Sequence, residues 1–204
     1  QVHPNDAYAK EHENGSLGKT ECWYVLDCPE GASLVVGHNA KTREELKEMI
    51  EQGKWTELIR EEPVQKGDLI QIDPGTVHAI KGGQMILETQ HNRDITYRVY
   101  DYDRLTDGKP RQLHVKQSID VINVPAPSAE NSVKHMLDLP KNTLNELISC
   151  DYYTVWKLEV TEPVKVDQKH PFMNVSVIEG EGLVTGQLEK KGAHFIVRSG
   201  SGQV

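Results

Sequence analysis

Histidine, glutamate and glutamine side chains occur at spacings that suit metal binding. Gln1 and His3 are two residues apart, so in an extended strand both lie on one face, about 7 Å apart along the chain. Glu21 stands at the head of an aromatic and β-branched run, and His78 follows a turn at residues 74–75. Two imidazoles and one carboxylate bind Zn²⁺ or Fe²⁺ and leave a coordination position for a substrate. These three residues are therefore candidate metal ligands, and the Gln1 amide oxygen is a fourth candidate.

Short strands separated by turns must carry these side chains. Apolar and β-branched runs recur along the chain and are bounded by Gly, Pro and Asp residues, which is typical of an all-β protein. Their even spacing favours a sandwich or a barrel. The predicted strands cover residues 23–26, 33–36, 69–72, 85–89, 95–100, 152–160, 174–179 and 195–198.

The predicted strand at residues 95–100 alternates polar and apolar side chains with period two. Arg98 lies on its polar face, which indicates that the guanidinium points into a polar cavity. A turn at residues 106–108 predicts a hairpin, with Asp101, Asp103 and Arg104 in a solvated charge cluster that stabilises it.

A few short helices interrupt the strands. Thr42 and Glu45 match a capping box, in which each side chain bonds the backbone of the other residue. An apolar stripe begins at Leu46, so a helix is predicted there. Further helices are predicted at residues 142–148 and 6–12.

Composition excludes several classes of function. The chain has 204 residues, with 23 Lys and Arg against 31 Asp and Glu, and a formal net charge of −8. This charge argues against non-specific nucleic-acid binding, and no apolar run reaches the roughly 18 residues of a membrane span. Cys22, Cys28 and Cys150 show no paired spacing, so reduced thiols in a cytoplasmic protein are predicted.

A proline-containing segment at residues 124–135 is predicted to be a linker between two domains. The first domain then covers residues 1–123 and the second covers residues 136–204. The chain starts on a candidate ligand and stops directly after an apolar stretch. We therefore expect a piece of a longer protein, cut at both ends.

Several motifs resemble one enzyme family. Gly67, the turn at residues 74–75 and His78 are similar to the second signature of cupin barrels. More narrowly, the chain resembles the shorter bacterial branch of the type I mannose-6-phosphate isomerases, which are zinc-dependent cupin enzymes. The resemblance covers residues 1 to about 120 and continues through residues 176–184 and 190–197. The motifs that carry it are QVHPNDAYA, GKTECWY, PGTVHAI, ETQ and, most specifically, TYRVYDYDR at residues 96–104.

The resemblance implies a mainly β fold, with a cupin jelly-roll barrel carrying inserted short helices. Residues 1–123 would form the metal-binding catalytic cupin without its N-terminal strands. Residues 136–204 would form a degenerate second cupin-like unit without its end. The implied activity is a zinc-dependent aldose–ketose isomerisation between mannose 6-phosphate and fructose 6-phosphate through an enediol, with one Zn²⁺ per chain.

The resemblance implies roles for the residues at matched positions. The implied zinc ligands are His3, Glu21 and His78, joined by Gln1. The implied catalytic arginine is Arg98, which with Lys19 would also bind the substrate. Lys19 and Glu88 match polar residues of the family's pocket, and either is a candidate proton-transfer base. Histidines outside these motifs are interpreted as surface or packing residues: His12, His38, His114, His135, His170 and His194.

Two other functions fit part of the pattern. A non-heme iron oxygenase also uses two histidines and one carboxylate, although a Gln1 ligand would occupy a position that O₂ needs. A non-catalytic sugar-binding cupin would keep the fold without turnover, but the retained Arg98 argues against it. The expected partner is a sugar phosphate, with no nucleic acid and no membrane, and the protein is expected to be a monomer or a homodimer.

Overall fold

Strands make up most of the regular structure in the computed structural model, which describes residues 1–128, 130 and 132–201. The helices of this part are α1 (Asp6–His12), α2 (Arg43–Glu51), α3 (Trp55–Leu58) and α4 (Val115–Val121). The strands are β1 (Glu21–Asp27), β2 (Ser33–His38), β3 (Ile59–Pro63), β4 (Asp68–Ile72), β5 (His78–Ala79), β6 (Met85–Gln90), β7 (Leu105–Thr106), β8 (Lys109–Pro110), β9 (Val133–His135), β10 (Asn145–Ser149), β11 (Thr154–Lys157), β12 (Phe172–Ser176), β13 (Glu181–Val184), β14 (Gln187–Lys190) and β15 (His194–Arg198).

Two antiparallel sheets build the first of two compact units, which comprises Gln1–Asp138 and Leu147–Val155. One sheet has the strand order β6-β1-β4-β9 and the other has the order β3-β2-β5. Trp23 of β1, Leu34 of β2 and Ile70 of β4 belong to one buried cluster, so the inward faces of both sheets share a core. On β1, period-two alternation places Glu21 on the same face as Trp23.

A second apolar cluster lies where helices α2, α3 and α4 cover the end of β2. The predicted helix over Leu46 is present, and the Thr42 hydroxyl accepts a hydrogen bond from the Glu45 amide at 3.2 Å. The second bond of the predicted capping box differs. The Glu45 carboxylate accepts a hydrogen bond from the Lys41 amide at 2.6 Å, and not from the Thr42 amide. Leu46 is fully buried in this cluster, so the amphipathic stripe anchors α2 to the sheet. The short helix predicted at residues 6–12 is also present.

The predicted helix at residues 142–148 is wrong, because that stretch contains strand β10. Asn142 has a φ of 56°, in the left-handed region that stops a right-handed helix. The Asn145 side chain donates to the carbonyls of Pro140 and Thr143, both at 2.8 Å, which ties the segment into a turn. Local bonds of this kind compete with helix formation.

The predicted strand at residues 95–100 is also wrong, since it makes only an isolated bridge between Tyr97 and Val2 in the described structure. The predicted sidedness nevertheless holds in part, because Tyr97 and Val99 are buried while Arg98 is half-buried. The hairpin predicted after it is present as β7 and β8.

The second unit comprises Leu139–Glu146 and the residues from Trp156 onwards. Its strands form two antiparallel pairs, β12 with β15 and β13 with β14. These include the strands predicted near residues 174 and 195.

The two-domain boundaries stay predictions. Strand β9 lies within the predicted linker and pairs with β4. Residues 129 and 131 of that linker, and residues 202–204 of the predicted second domain, lie outside the described residues. No helix in the described part of the chain is both long enough and apolar enough to cross a bilayer.

Candidate metal centre and adjoining cavity

The fold brings three predicted ligands together from distant parts of the sequence. His3 precedes α1, Glu21 begins β1 and His78 begins β5. Their ligand atoms all lie within 4.8 Å of one another, and the three side chains are at most 1% exposed. The two carboxylate oxygens of Glu21 face one imidazole each, since Oε2 is 3.3 Å from His3 Nε2 and Oε1 is 3.3 Å from His78 Nε2.

Backbone carbonyls set the tautomer of both histidines. His3 Nδ1 donates to the Ile95 carbonyl at 2.8 Å, and His78 Nδ1 donates to the Thr76 carbonyl at 2.8 Å. A carbonyl oxygen can only accept, so the proton of each neutral ring is on Nδ1 and Nε2 keeps its lone pair. This is the arrangement that metal-binding histidines use to orient Nε2 towards an ion.

The buried atoms at the centre of the cluster fit a cation. His3 Nε2 and Glu21 Oε1 are buried and have no hydrogen-bond partner in the described structure. In the neutral form of both rings, lone pairs of nitrogen and carboxylate oxygen face one another at 3.3 Å with no hydrogen between them. Such an arrangement is repulsive by itself and is relieved by a positive ion bound to all three groups.

Charge states at neutral pH also suit a metal. Burial lowers the pKa of His78 to about 4, so its imidazole is neutral. Burial alone would raise the pKa of Glu21. However, its pKa is held far below the ordinary value, and Lys19 Nζ, 2.8 Å from Oε2, favours the charged carboxylate. The carboxylate is therefore charged, and the donor set is two imidazole nitrogens and one anionic oxygen.

The Gln1 side chain lies beside the candidate metal ligands, on the side of the adjoining cavity. Its Nε2 atom donates to His78 Nε2 at 3.0 Å, so the amide stands beside the lone pair that would hold a metal. The two ends of an amide exchange places by rotation about the last side-chain bond, which allows the oxygen to take this position.

The Pro74-Gly75 turn links the ligand-bearing segments through the backbone. The Gly75 amide donates to the His3 carbonyl at 2.8 Å, and the His78 amide donates to the Gln1 carbonyl at 3.0 Å. Gly75 has a φ of +83°, and a Cβ there would approach the Asn123 side chain to 2.5 Å. Only glycine therefore fits this turn without strain, and the turn holds two ligands in register.

Lys19 and Glu88 lie beside the cluster in different roles. Lys19 is buried, with its Nζ atom 2.8 Å from Glu21 Oε2 and 3.9 Å from Glu88 Oε1. Trp23 Nε1 donates to Glu88 Oε2 at 3.1 Å. Glu88 lines the neighbouring cavity, whereas Lys19 is engaged with the carboxylate of a candidate ligand.

A cavity of about 300 Å³ opens next to the cluster. Gln1, His78 and Glu88 line it on the side of the metal centre, and Arg98 lines it as the sequence predicted. The Arg98 guanidinium donates to the Gln112 carbonyl at 3.3 Å, so the chain after β8 helps to hold it.

An arginine pair in the cavity wall was not predicted. Arg104 donates to Asp101 Oδ1 at 2.8 Å, and Arg111 donates to both carboxylate oxygens, with Nε 2.7 Å from Oδ2. All three side chains line the cavity. Asp101 is only 5% exposed, so the expected solvated cluster is wrong for this residue, whereas Asp103 and Arg104 are exposed. The predicted hairpin is the signal that could have found this, because it folds Arg111 back towards Asp101.

The Asp101 cluster predicts a pH-dependent stability. Hydrogen bonding to Arg111 holds the pKa of Asp101 far below its usual value, with Arg104 adding to the effect. A depressed folded-state pKa contributes stability at neutral pH that is lost as the pH falls. We expect Asp101→Asn to lower the melting temperature by roughly 5 °C at pH 7, with a gap to wild type that narrows below about pH 5.

Thermal denaturation followed by circular dichroism across this pH range measures the gap. Asp103→Asn is the matched control, because Asp103 is exposed and lies in the same turn. A gap that is constant with pH, or equal in the control, would show that the ion pairs carry none of the difference.

Aromatic rings form another wall of the cavity. Trp55 stacks on Tyr100 with ring centroids 4.5 Å apart and planes 9° apart, and Tyr102 follows at 4.7 Å from Tyr100. The Arg104 guanidinium lies 5.6 Å from the centre of the Tyr102 ring. The cavity therefore combines a flat apolar surface with cations, which suits a polar ring-shaped ligand that carries negative charge.

Comparisons with known proteins find similar sequences and folds. The family model described as mannose-6-phosphate isomerase, cupin domain, matches residues 143–204. The chain is 49% identical over 210 residues to mannose-6-phosphate isomerase ManA of Bacillus subtilis, covering 100% of this chain and 66% of that protein. It is 47% identical over 202 residues to mannose-6-phosphate isomerase of Streptococcus mutans, covering 97% of this chain and 63% of the relative.

A solved structure shows the same fold. The crystal structure of mannose 6-phosphate isomerase from Bacillus subtilis superposes with a TM-score of 0.88 at 38% identity, covering 99% of this chain and 66% of that one. The chain thus spans slightly less than two thirds of the relatives that it matches. The predicted fold class, mainly β and cupin, is confirmed. The chain belongs to the type I mannose-6-phosphate isomerases of the cupin superfamily.

Proposed function

We propose that the protein is a zinc-dependent aldose–ketose isomerase that interconverts mannose 6-phosphate and fructose 6-phosphate through an enediol. One observation carries the proposal. The Nε2 atoms of two histidines face a buried carboxylate at 3.3 Å, beside a cavity that holds an arginine, as a metal-assisted sugar isomerase requires. The names of the relatives point to the same reaction.

His3, Glu21 and His78 would hold the metal, with Gln1 able to add its amide oxygen. Nitrogen and oxygen donors of this kind are the usual ligands of Zn²⁺. When bound, the ion polarises sugar oxygens as a Lewis acid and orients the substrate. A Gln1 ligand favours zinc over an iron oxygenase, which needs that position for O₂.

Arg98 would stabilise the negative charge that develops on the sugar oxygens. A guanidinium stays protonated at all physiological pH values, so Arg98 is a charge stabiliser and not the base. Its position in the cavity wall, fixed by the Gln112 carbonyl, supports a preorganised role.

Glu88 is the better placed of the two candidate bases. Its carboxylate lines the cavity and accepts from Trp23 through Oε2, which leaves Oε1 available to take a proton from C2 and return it to C1. Lys19 instead lies 2.8 Å from the Glu21 carboxylate, and an ammonium in that ion pair has no free lone pair.

Arg104 and Arg111 supply the positive charge that a phosphate dianion needs. Together with Arg98 they place three cations around the cavity against the two carboxylates of Asp101 and Glu88. Phosphate and arginine form bidentate hydrogen bonds, which gives the substrate an orientation as well as affinity.

Metal analysis and a coupled assay test the proposal. We expect one zinc ion per chain and conversion of mannose 6-phosphate that stops when a chelator removes the metal and returns when zinc is added back. His12→Ala is a control, because His12 is an exposed histidine of α1 outside the cluster. Iron in place of zinc with consumption of O₂ would overturn the isomerase, and sugar phosphate binding without turnover would favour a binding protein. The cytoplasmic location and the monomeric or homodimeric state stay predictions.

A further inference from the structure

A β-bulge turns His38 towards the cavity. In the pairing of β2 with β3, Val35 is opposite Glu61, yet His38 is opposite Ile59, so β2 contains one extra residue between these pairs. The extra residue shifts the alternation by one and places His38 on the same face as Val35. Gly37 takes a φ of +87° at the bulge, a conformation that suits glycine.

One ring nitrogen of His38 makes a hydrogen bond, and the other has no partner in the described part of the chain. The residue is 3% exposed and lines the cavity together with Val35. His38 Nε2 donates to the Asn123 carbonyl at 2.8 Å, so the proton of the neutral ring is on Nε2. Nδ1 keeps its lone pair, is buried, and has no hydrogen-bond partner in the described part of the chain.

The surroundings keep this ring neutral. Burial lowers the pKa of His38, and the charges of Arg60, Lys41 and Arg43 lower it further, against an opposing effect of the bond to Asn123. A buried acceptor without a donor is unfavourable, so such atoms in folded proteins have a partner in the functional state. The guanidinium groups of Arg98, Arg104 and Arg111 supply hydrogen-bond donors to the cavity wall. His38 adds a neutral hydrogen-bond acceptor.

We infer that His38 Nδ1 accepts a hydrogen bond from a hydroxyl group of the sugar phosphate bound in the cavity. The inference rests on the proposed function and adds a substrate-binding residue to it. The C1 and C2 oxygens react and C6 carries the phosphate, so the donor is the hydroxyl on C3, C4 or C5. A hydroxyl donates one hydrogen bond and accepts others, which lets one sugar group bridge His38 and an arginine.

Two substitutions separate the two ring nitrogens. His38→Gln keeps an amide donor where Nε2 stood and so keeps the bond to Asn123, but it removes the acceptor at Nδ1. His38→Asn does the reverse, because its side-chain oxygen stands close to the place of Nδ1 and is too short to reach the Asn123 carbonyl. The pair forms a matched control for substrate binding against structural anchoring.

Steady-state kinetics with mannose 6-phosphate and its 3-, 4- and 5-deoxy analogues provide the test. We expect His38→Gln to lower kcat/KM for mannose 6-phosphate about 3- to 10-fold, mainly through KM, with a melting temperature close to wild type. For one deoxy analogue the wild type should already be weakened, and His38→Gln should cause no further loss. His38→Asn should keep more of kcat/KM and lose more thermal stability.

The outcomes distinguish this inference from the proposed function. A wild-type protein that does not isomerise mannose 6-phosphate overturns both. An active wild type with an unchanged His38→Gln variant overturns the inference alone. The same follows if the loss in His38→Gln is equal for mannose 6-phosphate and all three analogues, because that pattern means a general distortion of the cavity.

Discussion

Replacing Glu21 by glutamine is expected to abolish metal binding without unfolding the protein. The carboxylate supplies the only negative charge among the candidate ligands, and each of its oxygens faces one Nε2 atom at 3.3 Å. A glutamine of the same shape removes the charge and places an NH₂ group against an imidazole lone pair. We expect metal content to fall from one ion per chain to below about a tenth, and turnover to fall at least about 1000-fold.

Stability measurements make this prediction specific. A chelator should lower the melting temperature of the wild type, since a ligand that binds only the folded state stabilises it. The same chelator should leave Glu21→Gln unchanged. Without metal the variant should be at least as stable as the wild type, because its amide donates where two acceptors faced each other.

Glu11→Gln is the control for the loss of one carboxylate, because Glu11 is 77% exposed. It should keep the metal, the activity and the response to the chelator. A Glu21→Gln variant that retains a full equivalent of tightly bound metal would show that the ion is held elsewhere.

Arg98→Ala is expected to separate chemistry from metal binding. Arg98 lines the cavity but makes none of the contacts within the ligand cluster, so the metal should remain at one ion per chain. Loss of one preorganised cationic donor at a developing oxyanion costs about 100- to 1000-fold in kcat. Arg98→Lys should recover only part of this, because an ammonium cannot reproduce the planar fork of a guanidinium.

Single-turnover and steady-state kinetics together with metal analysis check this result. Arg198→Ala serves as the control, because Arg198 is exposed on β15 in the second unit. If Arg98→Ala raised KM and left kcat intact, Arg98 would bind the substrate equally in its ground state and transition state. Loss of metal in Arg98→Ala would contradict the separate roles.

Local signals predicted the candidate metal ligands one by one, because a short segment places each of them. His78 follows a turn that requires glycine at Gly75, and Glu21 shares a strand face with Trp23. Both facts can be derived from residue type and period-two alternation. That these segments meet followed only from the family resemblance, since spacing alone does not bring residues 75 positions apart together.

Elements with weak local signals were predicted less well. The apolar spacing at residues 142–148 fits a helix, but the turn bonds of Asn145 and the left-handed Asn142 produce a strand. The alternation at residues 95–100 fits a strand, but among the described residues only Val2 forms a bridge with it. Both cases show tertiary or turn contacts overriding a short periodic pattern.

By itself the sequence determined which atoms are available for the chemistry: two histidines, a carboxylate, an amide and an arginine. Only the tertiary structure decided which neighbours complete the cavity. The bulge at Gly37 reverses the face of His38, and the hairpin brings Arg111 onto Asp101. Neither follows from periodicity, because one extra residue in a strand changes its register without changing its composition, and long-range pairing depends on the whole fold.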